Sequence, residues 1–134
     1  MLTYIKYKKI QNFASKVASG HGKKYDQATP YINQLEWLKI DNKLIYDVCL
    51  FIYKILHNHI PNRILMLETM DQIRPRQTRQ NSHLMVPSRR TVIADRAISV
   101  RGPKLWNGLP EDVRECGSLP LFKKKLKSLL FMKQ

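Results

Sequence analysis

Apolar residues recur at close to helical spacing over the first nineteen positions of the chain. They are Leu2, Ile5, Ile10, Phe13, Ala14 and Val17. This stripe predicts an amphipathic helix from Leu2 to Ser19, with the lysines of the segment largely off the stripe. Gly20 and Gly22 follow as stop signals, and we expect a glycine in the left-handed conformation to end the helix.

Two more helices are predicted before residue 60. Thr29 followed by Pro30 is typical of an N-cap and a first helical turn, so a short helix is predicted from there through Trp37. The stretch from Asp41 to Asn58 is the most apolar in the chain and is predicted to be the core helix. Its wide apolar face consists of Leu44, Ile45, Val48, Phe51, Ile52, Ile55 and Leu56.

Pro61 predicts the start of a fourth, shorter helix. Its apolar residues are Ile64, Leu65 and Leu67. Composition then changes sharply at Asp71, which divides the predicted module into a helical core part, residues 1–70, and a second part, residues 71–134. That second part opens with "IRPRQTRQNS", which has three arginines and almost no apolar residues and predicts an exposed linker.

The rest of the chain is predicted to be partly irregular and then helical. "HLMVPSR" and "TVIADRAISV" suit short extended pieces, and a helix from about Asp95 towards Trp106 suits the spacing equally well. Ser118 can cap a last helix, in which Phe122, Leu126, Leu129 and Leu130 form one stripe opposite Lys123, Lys124 and Lys127. The predicted fold is therefore a mainly α, small helical module with a basic irregular linker and at most short β pieces.

Length and charge limit the classes of function. The 134 residues suit one domain, and 24 basic against 10 acidic residues give a formal net charge of +14. Polyanions are the expected partners, with nucleic acid favoured and an anionic membrane surface as the rival.

No apolar run reaches the roughly 20 residues of a membrane span. Two distant cysteines and the lack of a secretory hydrophobic core predict an intracellular location, cytoplasmic or nuclear.

Catalytic and metal-binding patterns are not recognised in the sequence. The acids are scattered, and the adjacent pair Glu111 and Asp112 follows Pro110, as expected of a first helical turn. His57 and His59 stand near the end of the core helix, where the helix dipole favours histidine. Neither glycine-containing loop has the spacing of a phosphate cradle. We therefore expect no catalytic residue, no metal and no cofactor.

The basic residues are segregated along the chain, which favours a nucleic-acid contact. Arginine dominates the central segment, as suits bidentate phosphate contact. The candidate residues are Arg74, Arg76, Arg79, Arg89, Arg90, Arg96, Arg101 and Lys104. The lysines of the terminal helices fit phosphate attraction or a merely solvated face, and the sequence leaves both open.

The stretch "VRGPKLWNGLP" contains a tryptophan between two glycines and two prolines. We expect Trp106 to be a buried anchor on which the C-terminal helix packs, together with Leu105 and Leu109, with base stacking as the alternative. Gly102 and Gly108 are expected to let the chain turn, and Pro103 and Pro110 to fix the turns. Trp37 is also assigned a structural role.

The ordered set of motifs resembles the C-terminal region of non-LTR retrotransposon (LINE-type) reverse transcriptase polyproteins. The segments are "IQNFASKVASG", "KYDQATPYINQLEWLKI", "IYKILHNHIPNRI" and "MVPSRRTVIADRAISVRGPKLWNGLPEDVRECGSLPLFKKKLKSLLF", which cover nearly the whole chain. Matching positions include Gln11, Asn12, Asp26, Thr29, Pro30, Trp37, Tyr53, Lys54, Val86, Pro87, Arg90, Asp95, Arg96, Pro103, Trp106, Asn107, Pro110, Phe122 and Lys123.

The resemblance implies a tail that follows the fingers, palm and thumb of an RNA-directed DNA polymerase and helps hold template RNA or target DNA. The Asp-Asp pair of the polymerase and the separate nuclease domain are not in this sequence. We therefore expect a non-catalytic accessory tail that contacts RNA or DNA backbone. Two alternatives stay open: a protein-docking module that packs on the polymerase, and an inert retrotransposon-derived fragment.

Overall fold

The computed structural model of the chain describes residues 2–20, 23–63, 65–73, 82–88 and 90–134. In these residues it has eight helices: α1 Leu2–Ser19, α2 Thr29–Gln34, α3 Ile40–Leu56, α4 Met70–Ile73, α5 Val92–Asp95, α6 Ile98–Asn107, α7 Glu111–Arg114 and α8 Leu119–Met132. An isolated antiparallel β-bridge joins Thr69 and Leu84. The predicted mainly α fold with at most short β pieces is confirmed.

The longest helices lie close to where the hydrophobic pattern predicts them. α1 has the predicted bounds, and Gly20 after it adopts the left-handed conformation with φ of +74°. Gly22 lies outside the described residues. α3 begins one residue before Asp41 and ends two before Asn58, while α8 begins directly after Ser118. Between them, α6 confirms a helix towards Trp106, but it begins at Ile98, and α5 is a separate short helix that ends at Asp95. Leu84 of "HLMVPSR" forms the β-bridge, as suits a short extended piece.

The predicted N-cap and length of the second helix are wrong. Ala28 is the residue before the first helical turn, and Thr29 and Pro30 are themselves helical. The helix ends at Gln34 because Glu36 has a left-handed backbone with φ of 54°, which an α-helix cannot contain. Trp37 therefore lies beyond the helix, where its N–H donates to the carbonyl of Ile32 at 3.0 Å.

The predicted helix at Pro61 is also wrong, since the described residues around it form turns. The side chain of Asn62 makes two hydrogen bonds of 2.8 Å to the backbone of Leu67, accepting from its N–H and donating to its carbonyl. A side-chain amide thus closes this loop in place of helical backbone bonds. Leu65 and Leu67 are nevertheless buried, while Ile64 lies outside the described residues.

The chain divides into two compact units, which we call unit 1 (residues 1–46 and 126–134) and unit 2 (residues 47–125). Helices α3 and α8 each contribute residues to both units. The predicted division at Asp71 rests on composition and stays a prediction. Most of the predicted linker, residues 74–81, lies outside the described residues.

Unit 1 contains side-chain amides that bond to backbone groups of distant residues. Gln11 of α1 donates to the carbonyl of Leu38 at 2.6 Å and accepts from the N–H of Ile40 at 2.9 Å. Near the C-terminus, the side chain of Gln134 accepts from the N–H of Lys39 at 2.9 Å. Because these backbone groups lie at or just before the first residue of α3, the amides satisfy polar groups that no helix hydrogen bond reaches.

Unit 2 is centred on an aromatic cluster. The Tyr53 ring stacks on His57 at 3.8 Å between centroids and on Phe122 at 4.2 Å, and Trp106 lies 5.8 Å from Phe122. The Tyr53 hydroxyl donates to the carbonyl of Cys116 at 2.8 Å, so its polar end is satisfied inside the core. Burial raises the pKa of Tyr53.

Gly102 and Pro103 lie inside α6 and do not form a turn, which corrects the expectation for both. A Cβ atom on Gly102 would lie 3.0 Å from Cδ1 of Ile52, so this glycine lets α6 approach α3 closely. It also lacks the Cβ that clashes with a following proline ring in a helix. Gly108 is the C-cap of α6 with an ordinary φ of −79°.

We expect the contact between α6 and α3 to appear as energetic coupling. Gly102→Ala adds a Cβ that clashes with the Pro103 ring and overpacks against Ile52, and Ile52→Val removes the atom that the new methyl group meets. In urea unfolding, the double variant should be more stable than the sum of the single changes by about 1 kcal/mol. Gly117→Ala, which meets open space, is the control and should show no coupling to Ile52→Val. Additivity at Gly102 would contradict the close approach.

A second prediction concerns Cys49, whose thiol pKa is raised by burial from an ordinary 9.0 to about 12. Above about pH 9 the unfolded chain loses this proton while the native state keeps it, so stability falls as pH rises. The free energy of unfolding of the wild type should therefore fall relative to Cys49→Ala between about pH 9 and pH 11, by up to about 1.4 kcal/mol per pH unit. Urea titrations at each pH check this, and a constant difference would contradict it.

Candidate nucleic-acid interface

The candidate cations fall into two groups. Arg74, Arg76, Arg79 and Arg89 lie outside the described residues. Arg90, Arg96, Arg101 and Lys104 are described, belong to unit 2 and are all exposed. The structure therefore provides geometry for four of the eight predicted contact residues, and these four lie within a stretch of fifteen residues.

Helix α6 separates apolar and cationic residues onto opposite sides. The buried residues are Val100, Gly102, Pro103 and Trp106. Arg101 and Lys104 stand three positions apart and are both exposed, so they are neighbours on the solvent side of the helix. One ten-residue helix thus contributes to the core with one side and presents two cations with the other.

Arg90 and Arg96 flank the short helix α5, which precedes α6. Thr91 caps α5, its hydroxyl accepting from the N–H of Ala94 at 3.2 Å. Arg96 is the C-cap residue, and its N–H donates to the carbonyl of Ile93 at 3.2 Å. Ala97 then caps α6, so the backbone at Arg96 is fixed between two helices.

Arg114 was not among the candidates, and its surroundings give it a structural role. It is half-buried, and its Nη1 donates to the hydroxyl of Ser82 at 3.1 Å. Its Nε is buried, with no hydrogen-bond partner in the described part of the chain. No sequence signal separates this arginine from the exposed ones, because its burial depends on tertiary packing.

The lysines of α8 divide in a similar way. Lys123, Lys124 and Lys127 are exposed, as predicted, and lie away from the buried stripe of Phe122, Leu126 and Leu130. Lys125 forms an ion pair with Asp112 at 3.7 Å, and its ammonium also donates to the Asp112 backbone carbonyl at 3.1 Å. Such a partly exposed pair contributes little to stability.

Trp106 is only 2% exposed, which confirms that it is a buried anchor and leaves no ring face for a nucleic-acid base. Leu109 is buried beside it in sequence and Leu105 is half-buried. The indole Nε1 has no hydrogen-bond acceptor among the described residues. Pro110 is the exposed N-cap of α7, and the adjacent acids Glu111 and Asp112 are in its first turn, as predicted.

Trp37 is 37% exposed, so it is a surface residue of unit 1 and not part of the core. It lines a cavity of about 390 Å³ with Leu38, Lys43, Tyr46 and Lys127 among its neighbours. The Lys43 ammonium lies 4.9 Å from the centre of the Tyr46 ring. The backbone of Trp37 accepts a hydrogen bond from the Gln134 side chain at 3.1 Å, which is the structural contribution of this residue.

Positive charge is present in both units. Unit 1 contains ten basic and three acidic residues, and unit 2 contains fourteen and seven, so each carries a formal +7. Equal net charges mean that charge alone does not decide which unit meets a polyanion. The distinguishing feature of unit 2 is that it contains all nine arginines of the chain, counting those outside the described residues.

The two tryptophans should respond differently to truncation. We expect Trp106→Ala to lower the free energy of unfolding by about 3–5 kcal/mol, because it leaves a cavity beside Phe122 and Tyr53. Trp37→Ala, the matched surface control, should cost less than about 1 kcal/mol. Urea unfolding measures both. Equal losses, or a Trp106→Ala protein that weakens nucleic-acid binding with unchanged stability, would contradict the packing role.

The described residues contain no group of three or more His, Cys, Asp and Glu side chains arranged to hold a metal ion. In the same part of the chain, no helix combines the length and apolar character needed to cross a bilayer. No protein-family model, curated protein or solved structure matches the chain.

Proposed function

We propose that the chain is a non-catalytic nucleic-acid-binding module that contacts the phosphate backbone of RNA or DNA through its exposed cations. The observation that carries the proposal is the two-sided character of α6. Its core side anchors the helix through Trp106, and its solvent side presents Arg101 and Lys104 one helical turn apart. A fixed pair of neighbouring cations is a suitable contact for successive phosphates.

The charge of the chain supports the same proposal. A formal net charge of +14 attracts a polyanion over long range and accelerates encounter. Arginine provides five donors in a planar fork that matches phosphate oxygens, and eight of the nine arginines follow residue 70. Phosphate contacts of this kind provide affinity and orientation without base preference.

The motif resemblance supports a place for this module in a larger machine. We propose that it is an accessory tail of a retrotransposon reverse transcriptase and helps hold template RNA or target DNA. The parent polyprotein would supply the RNA-directed DNA polymerase activity. Arg90 and Arg96, which lie in the motif segment and are exposed, are included in the proposed contact surface.

A salt series tests the proposal. We expect the affinity of the whole chain for a labelled RNA or DNA to fall with salt, with a log-log slope of about −0.7 to −0.9 per phosphate neutralised. Arg101→Ala/Lys104→Ala should make that slope shallower by about 1.5, because two phosphate contacts are lost. Fluorescence anisotropy at several salt concentrations measures the slope.

Lys24→Ala/Lys133→Ala is the matched control, because both lysines are exposed, lie in unit 1 and remove the same charge. The control should leave the slope close to that of the wild type if the α6 pair makes specific contacts. An affinity that does not change with salt would reject the proposed interface. So would an equal decrease of the salt slope in both double variants.

A further inference from the structure

Helix α1 has its polar side buried and its apolar side in water. Ser15 is fully buried, and Gln11 reaches the backbone before α3. The exposed fractions of the outward side chains are 56% for Tyr7, 61% for Ile10, 71% for Phe13 and 63% for Val17. An amphipathic helix normally buries its apolar stripe, so this arrangement leaves the stripe available to a partner.

One row of α1 residues, which we call the seam, has the spacing of a helix-packing surface. Its members are Thr3, Tyr7, Ile10 and Val17, which are exposed, and Ala14, which is half-buried. They are separated by alternating steps of four and three residues, which is the a and d pattern of paired helices. Phe13 widens the seam on one border. An aromatic side chain has a full area of about 150–250 Å². Multiplied by the exposed fractions above, areas of this size give roughly 400–500 Å² of exposed apolar surface on the outward face of α1. This area suits one added helix and is too small for a standard interface of about 800 Å² per partner.

The charge around the seam indicates what kind of helix fits. Lys6 and Lys9 are exposed and precede Phe13 by seven and four residues, so they lie on the same border of the seam. No acid occurs before Asp26. If a second copy of α1 packed on this seam, the lysines of the two copies would repel each other. Carboxylates on a different partner would instead attract Lys6 and Lys9.

We propose that the outward face of α1 binds an acidic amphipathic helix of a partner protein. The apolar stripe of that helix covers Tyr7, Ile10, Phe13 and Val17, and its carboxylates face Lys6 and Lys9. The small area predicts a transient complex in which charge contributes selectivity and association rate. This site lies in unit 1 and does not depend on the nucleic-acid interface of unit 2.

An anionic membrane surface is the competing partner for an apolar stripe flanked by lysines. The narrow seam and the lysines on one border favour a helix over a lipid surface, because helices that lie in membranes have a broad apolar face. The experiment therefore includes vesicles, and preferential vesicle binding counts against the proposal.

The test uses the whole chain and two synthetic helices of about three heptads with leucine at positions a and d. One peptide has glutamate at the flanking positions and the other has lysine there. We expect the acidic peptide to bind at least about tenfold more tightly than the basic one. Ile10→Ser/Phe13→Ser should weaken the acidic peptide at least about tenfold, since truncated anchors lose most binding energy. Calorimetry or anisotropy measures these affinities.

Charge-reversal variants distinguish specific contacts of Lys6 and Lys9 from attraction by the net charge of the chain. Lys6→Glu/Lys9→Glu should reverse the peptide preference, while Lys24→Glu/Lys133→Glu, with the same change in net charge, should retain it. Circular dichroism should show wild-type helix content in every variant, because every changed side chain is exposed. Arg101→Ala/Lys104→Ala should bind the peptide as the wild type does, which keeps this test independent of the proposed function.

Four results would overturn the proposal. They are equal affinity for the two peptides, unchanged affinity in Ile10→Ser/Phe13→Ser, and equal effects of the two charge-reversal variants. The fourth is stronger binding to phosphatidylcholine and phosphatidylserine vesicles than to the acidic peptide, with that vesicle binding lost in Ile10→Ser/Phe13→Ser.

Discussion

The packing of Trp106 against Phe122 and Tyr53 determines which side of α6 faces water. Burial of the indole, together with Gly102 against Ile52, turns one side of the helix into the core of unit 2. Arg101 and Lys104 are then on the opposite side because an α-helix advances 100° per residue. The same helix thus packs in the core of unit 2 and positions the cations of the proposed interface.

Both units satisfy polar backbone groups with side chains. Unit 2 uses the Asn62 amide, which bonds to the backbone of Leu67, and the Tyr53 hydroxyl, which donates to the carbonyl of Cys116. Unit 1 uses the amides of Gln11 and Gln134, which bond to backbone groups near the start of α3. Gln11 lies on the inward side of α1. The apolar side of α1 faces outward, which is the basis of the docking proposal.

The two proposed surfaces recognise different chemistry. The cations of α6 suit a phosphate polymer. Charge provides most of the attraction to such a polymer, so its affinity depends strongly on the salt concentration. The outward face of α1 combines apolar side chains with flanking lysines and suits a helix with carboxylates. The two proposals therefore involve separate residues of one basic chain.

The sequence by itself determined the helical class, the bounds of α1 within a residue, the approximate bounds of α3 and α8, and the burial of Trp106. Hydrophobic periodicity and large aromatic side chains carry that information locally. It did not reveal the turns at Pro61, because the Asn62 clamp on Leu67 competes with a helix through side-chain bonds that no periodicity records. Nor did it show that Gly102 and Pro103 lie within a helix, since the close approach of Ile52 is a contact between distant segments. Only the tertiary structure decided which face of α1 is buried, because the Gln11 amide meets backbone groups 27 and 29 residues away, and no local pattern records such a contact.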